Sequence, residues 1–100
     1  MAELQAVAQV PTERPERWVK QLVSHLGRRL EGSLDEASGV GTLTGAGMSA
    51  TLSPVPGGLR LEARAGDREG LDRITGVVGG HLERFAASTE PMTVTWQPID

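Results

Sequence analysis

The chain carries two histidines, His25 and His81, each near the C-terminal end of a segment with helical apolar spacing and each on or beside its apolar stripe. Imidazole titrates near neutral pH and also ligates metals, so two rings aimed at one interior would seed a site. His81, spaced with Ile74, Val78 and Phe85, is expected to be buried. There a neutral ring needs a partner for each nitrogen or forfeits about 1–3 kcal/mol per unsatisfied group. Its plainer role is a core histidine bonded to a backbone carbonyl or a carboxylate. His25 should straddle the rim between core and solvent, beside Trp18 and Arg29. Its plainer role is a ring at the negative end of a helix dipole, worth up to about 1 kcal/mol when protonated. The sharper reading lays both helices side by side so that the rings converge. Two imidazoles hold a metal weakly, so His25 and His81 become metal ligands only if a carboxylate such as Glu83 or Asp72, or a second subunit, completes the shell.

Other chemistry is thinner. Ser24 adjoins His25, but neighbours on a helix point about 100° apart and cannot share a nucleophile-to-base hydrogen bond. No G-x-S-x-G, H-E-x-x-H or paired-carboxylate motif occurs, so no catalytic set is assigned. The run GTLTGAG at 41–47 lies between two short strands, with no helix after it and no GK[ST], which excludes a phosphate loop. Gly76, Gly79 and Gly80 fall inside the second helical segment, on the arc opposite its hydrophobic stripe. Each forgoes about 1 kcal/mol of helix propensity. Close approach of another chain or of a ligand would explain them, as would a loosely optimised exposed face.

The elements that must position these residues follow from periodicity. Residues 4–10 alternate, with Leu4, Ala6, Ala8 and Val10 on one face and Gln5 and Gln9 on the other, which predicts a half-buried strand. Thr12 offers an N-cap and Pro15 a first-turn residue for a helix over 13–27, with Trp18, Val19, Leu22, Val23 and Leu26 on one arc and Gly27 as a left-handed stop. LEGSL, GVGTLT, MSATLS and LRLEARA then read as four strands of an antiparallel meander, broken at 35–39, 45–47 and 54–58. Asp67 caps a second helix running to about residue 85 or 86, whose stripe is Leu71, Ile74, Val77, Val78, Leu82 and Phe85. After Pro91, MTVTW predicts a last strand with Met92, Val94 and Trp96 on one face. The order β-α-β-β-β-β-α-β predicts an α+β fold with two helices on one face of a mainly antiparallel sheet, in a single domain over 1–100.

Composition narrows the function classes. The net charge of −3 argues against nucleic acid, which needs clustered cations, and Arg28-Arg29 is too short a run to reverse that. Absence of cysteine removes disulfide scaffolds, thiol catalysis and cysteine-held metal centres. No leader-like segment and no membrane-length apolar run is seen, so a cytoplasmic protein without membrane association is expected. No cofactor is indicated.

SHLG (24–27), HLERFA (81–86) and TVTW (93–96), with the strand meander between them, resemble a small bacterial family of unknown function. Its members occur alone and fused to siderophore-interacting flavin reductases. Members read S-H-F-G-H-K where this chain has Ser24-His25-Leu26-Gly27-Arg28-Arg29, so His25 and Gly27 match while the second histidine is Arg28 and the lysine is Arg29. His81, Arg84 and Phe85 match the family's H-L-x-R-F-A. The resemblance implies a TATA-binding-protein-like or phosphohexomutase C-terminal architecture, which carries no implication of DNA binding. It also implies an iron-handling neighbourhood and a flavin-reductase partner for some members.

These readings converge on a non-catalytic accessory or binding module, expected to be homodimeric. Its candidate pocket lies between the helix ends around His25, Arg28, Arg29, His81 and Arg84. Arginines beside a protonatable imidazole suit an anionic small ligand, or an iron chelate bearing carboxylate or catecholate groups. The alternatives are a small enzyme using His25 or His81 as general base, which needs a solvent-reachable ring with an orienting partner in a concave pocket, and a structural or oligomerisation protein, which needs no pocket.

Overall fold

Alternation sets the strands. In the computed structural model, which describes residues 3–99, Ala6, Ala8 and Val10 of β1 (Leu4–Pro11) are buried while Gln9 is exposed. The same two-residue period runs through β3 (Val40–Gly45), β4 (Met48–Val55) and β5 (Gly58–Ala65), leaving one wet face and one packed face. With β2 (Glu31–Asp35) and β6 (Gln97–Ile99) they form a sheet of order β2-β3-β4-β5-β1-β6. Every pairing among the described residues is antiparallel. The predicted four-strand meander is present as β2 to β5.

Two helices, α1 (Pro15–Leu26) and α2 (Arg68–Ala86), pack on the buried face. Register explains how close they come. One cross-strand row reads Ala6, Ala63, Ala50, Leu43 and the next Ala8, Leu61, Leu52, Gly41, so much of the floor beneath the helices is small. Gly41 is the tightest seat: a Cβ there would lie 2.7 Å from both Val19 Cγ1 and Val23 Cγ2 of α1. The helices run antiparallel. Trp18, early in α1, meets Glu90 beyond the end of α2, whereas His25, in the last turn of α1, meets His81 within α2. No helix among the described residues is long and apolar enough to cross a membrane.

Three local expectations need correction. Thr12 is not the N-cap of α1; Arg14 is, and it makes no side-chain cap bond. The Thr12 hydroxyl instead donates to Glu90 Oε1 at 2.6 Å and accepts from Trp18 Nε1 at 3.1 Å and from the Arg14 amide at 3.1 Å. Gly27 is not left-handed; it stays in the right-handed helical region at φ −63°, its amide bonded to the Val23 carbonyl at 2.9 Å. The turn tightens over Arg29 and Leu30, whose amides both reach the Leu26 carbonyl, so the last carbonyls are satisfied without a left-handed residue.

The final strand also lies later than 92–96. Residues 91–96 are extended without a ladder, and β6 pairs Gln97–Ile99 with Gln5–Val7 of β1. Met92, Val94 and Trp96 do alternate as half-buried positions packed against the core. A period of two reports an extended chain with one covered face, and here the cover is supplied partly by α2. The Val94 amide donates to Glu83 Oε2 at 2.8 Å.

Candidate functional site

Helix periodicity carries His25 to the exposed side of the last turn of α1 and His81 to the edge of the buried stripe of α2. The buried positions of α2 are Leu71, Ile74, Val78, Gly79, Leu82 and Ala86. The stripe is thus rotated away from Val77, His81 and Phe85, which are half-buried. The expectation of a buried His81 is corrected on that ground. The expectation that the rings converge is met, with centroids 5.2 Å apart and planes tilted by 44°. Phe85 completes a trio, edge-on to His25 at 5.2 Å and to His81 at 6.0 Å. Such ring contacts contribute about 0.5–1.5 kcal/mol per pair beyond the area they bury.

One nitrogen of His81 is committed. Its Nδ1 lies 2.7 Å from the Val77 carbonyl oxygen. A carbonyl only accepts, so Nδ1 carries the hydrogen and Nε2 holds the lone pair while the ring is neutral. That orienting bond suits a ligand group, a base or a plain core histidine alike.

What surrounds the rings is more selective. A pocket of about 670 Å³ opens between the end of α1 and the flank of α2, and all five candidate residues line it: His25, Arg28, Arg29, His81 and Arg84. Arg73 joins them, giving four guanidinium groups and two imidazoles with no carboxylate in the lining. Arg73 pairs with exposed Glu69 at 3.3 Å across one helical turn, a bond worth at most about 0.5 kcal/mol. Arg28, Arg29 and Arg84 join no ion pair among the described residues. The remaining wall is Leu26, Leu30, Met48 and Val77. Helix dipoles give a partial account of the cations, because Arg28 and Arg29 follow the end of α1 and Arg84 lies in the last turn of α2. They do not account for both groups facing one hollow.

The metal shell built from Glu83 or Asp72 is not formed. Both line a different groove, on another flank of α2, with Gly76, Gly80, Val94 and Trp96. No group of three His, Asp or Glu side chains suited to a metal occurs among the described residues. The same groove answers the glycine question in part. A Cβ on Gly79 would lie 2.9 Å from Trp96 Nε1, whereas Gly76 and Gly80 face open space. The close neighbour at Gly79 is this chain's own C-terminal segment.

Sequence reasoning missed Arg73 and the apolar wall. Arg73, Val77, His81 and Arg84 are spaced by four, four and three residues, a single helical ridge readable by the rule that placed His81. Met48 and Leu30 gave no such signal, because they reach the pocket from a strand start and a turn. The Thr12–Trp18–Glu90 cluster was missed as well, since it joins residues 72 and 78 positions apart.

Comparison with known proteins adds the following. The sequence profile described as "Uncharacterized protein conserved in bacteria (DUF2218)" matches residues 7–97. No curated protein matches the chain. Among solved structures, the chain is similar to PA4090 from Pseudomonas aeruginosa, determined by NMR. The two are 25% identical with a TM-score of 0.76, over 94% of this chain and 95% of that one.

Proposed function

We propose that this chain, which belongs to DUF2218, a family of uncharacterized proteins conserved in bacteria, is a binding module that takes a small anionic ligand in the pocket between the end of α1 and α2. The observation that carries the reading is the lining itself: four arginines and two imidazoles around one hollow with no carboxylate among them, in a chain whose net charge is −3. Arginines lacking an internal acidic partner keep their donors for carboxylate or phosphate oxygens, which they meet in a two-pronged geometry. All these groups come from one chain, so the reading needs no second copy. The resemblance to members fused to siderophore-interacting reductases supports a finer form, in which the anion is a ferric chelate with carboxylate donors.

A second reading, a small enzyme with His81 as general base, draws on the Val77 carbonyl that orients the ring in a concave pocket. It lacks a neighbouring reactive group. His25, whose ring centroid lies 5.2 Å from that of His81, duplicates the same chemistry.

Titration of the ¹⁵N-labelled chain with citrate, ferric citrate and inorganic phosphate tests the binding reading. Shifts confined to His25, Arg28, Arg29, His81 and Arg84, weakening as salt rises, are the expected result. The Trp18 indole signal serves as internal control. Absence of shifts, or an equal response to chloride, would remove the proposal.

A further inference from the structure

Charge uses only half of this pocket. Arg28, Arg29, Arg73 and Arg84 are exposed, while Leu26 is buried and Leu30, Met48 and Val77 are half-buried. The cations therefore form an outer rim and the aliphatic side chains an inner floor. The floor is constructed by the fold: a Cβ on Gly45 would lie 2.6 Å from Leu30 Cδ2 and 3.3 Å from Met48 Cε, so the bare glycine lets both side chains settle over the strand end. Beside the floor, His25 and His81 add two rings to the lining, and Phe85 packs edge-on against both from outside it.

A small hydrated anion such as phosphate would engage the rim and leave the floor wet. The volume, about 670 Å³, lies within the roughly 300–1,000 Å³ in which proteins hold organic ligands. Apolar surface gains free energy in proportion to the area removed from water, so a ligand that covers the floor binds more tightly than its charged group alone. A guanidinium also lies favourably over a planar apolar face, as does an imidazole.

We infer that the ligand is an amphipathic organic anion, a carboxylate or phosphate carried on a planar apolar body, with its charge at the arginine rim and its body on the Leu30–Met48–Val77 floor. This inference rests on the anion-binding reading above and gives that anion a chemical class. Its neutral Nε2 lone pair lets His81 accept a hydrogen bond from a hydroxyl on the same body.

The experiment compares three probes on the full chain by ¹⁵N and ¹³C-methyl NMR titration: 2-naphthoate, acetate and 2-naphthylmethanol. The expected result is that naphthoate binds at least tenfold more tightly than either of the others and shifts the Leu30, Met48 and Val77 methyls. In Arg84→Gln, an exposed position where folding is not at stake, naphthoate should fall toward the affinity of the alcohol. Equal binding of acetate and naphthoate would overturn the amphipathic class and leave the anion reading standing. Equal binding of naphthoate and the alcohol, shifts outside the pocket, or no binding by any probe would overturn both.

Discussion

The two ends of the helix pair are built from the same elements and treated in opposite ways. Where α1 begins, the Glu90 carboxylate accepts from the Thr12 hydroxyl at 2.6 Å, the Trp18 indole at 3.1 Å and the Glu13 amide at 3.3 Å. All three of these donors have their acceptor inside the chain. Where α1 ends, Arg28, Arg29 and Arg84 have no acidic partner among the described residues and line an open hollow. A polar group whose bonds are filled internally contributes to folding and has nothing left for a ligand. A group bonded only to water can exchange that water for a ligand. The contrast separates a polar latch that belongs to the fold from a set of donors that the fold does not use.

The largest effect that can test this contrast lies at the latch. Trp18 is 1% exposed, and its removal leaves a large void and takes a donor from both Thr12 and Glu90. Trp18→Ala should lose about 3–5 kcal/mol of stability, measured by urea denaturation. Trp18→Phe keeps most of the ring and drops the N–H, so it should lose about 1–2 kcal/mol. An Ala variant as stable as wild type would mean that the latch is decoration.

Next is the acid side of the same latch. The Thr12 hydrogen bond, above all, holds the Glu90 carboxyl below its ordinary value of 4.5, helped by Trp18, the Glu13 amide and Arg14 and opposed by desolvation. A folded-state pKa below the unfolded one means stability that is present above about pH 4.5 and lost as pH falls through the folded value. Glu90→Gln should therefore be less stable at neutral pH by about 1 kcal/mol. Its deficit should shrink as the medium is acidified through that range. A deficit independent of pH would show that Glu90 acts by shape and not by charge.

How much of this was legible follows the range of the interactions. Strands β1 to β5, α2 and its Asp67 cap, whose carboxylate accepts from the Gly70 amide at 2.7 Å, rest on periodicity and near neighbours. They were readable for that reason. The meeting of His25 and His81 was readable as well, because two amphipathic helices on one sheet face leave few other arrangements. The Thr12 assignment failed because a hydroxyl one turn before a helix serves as a cap only when nothing better competes, and Trp18 and Glu90 do compete. The last strand failed because alternation reports coverage and cannot say whether a sheet or a helix provides it. The apolar floor was invisible because Leu30 and Met48 meet only through the β3–β4 turn at Gly45.

A smaller effect checks that the contrast concerns helix ends and not α2 in general. Midway along α2, on the flank facing the C-terminal segment, Gly76→Ala and Gly80→Ala place a methyl in open space. Each should raise stability by about 0.5–1 kcal/mol through helix propensity and reduced unfolded-state freedom. Gly79→Ala makes the same propensity gain but drives a Cβ to 2.9 Å from Trp96 Nε1 and 3.4 Å from Val94 Cγ1. It should be neutral or destabilising, with the Trp96 fluorescence displaced. Three equal gains would show that the segment over Gly79 is loosely held.

The smallest effect on folding falls at the open end, and its sign carries the information. If Arg28 and Arg29 serve the helix dipole, Arg28→Gln with Arg29→Gln should lose about 0.3–1 kcal/mol for each charge at low salt. If they are gathered for a ligand, they sit among cations without an internal counter-charge, and neutralising two of them relieves repulsion. That gain offsets the dipole loss, so the double variant should melt within a degree or two of wild type, in keeping with the ±0.5 kcal/mol usual for exposed sites. Thermal melts at low and high salt separate the accounts: a deficit from the dipole alone shows at low salt and fades as charges are screened over about 10 Å at 0.1 M salt, whereas offsetting contributions leave the two proteins matched at both. Adding citrate completes the separation: an anion that binds only the folded chain raises its melting temperature by mass action. Wild type should respond and the double variant should not. A variant that melts far lower without citrate, and responds to citrate like wild type, would assign these arginines to the helix end and close the contrast between the two ends.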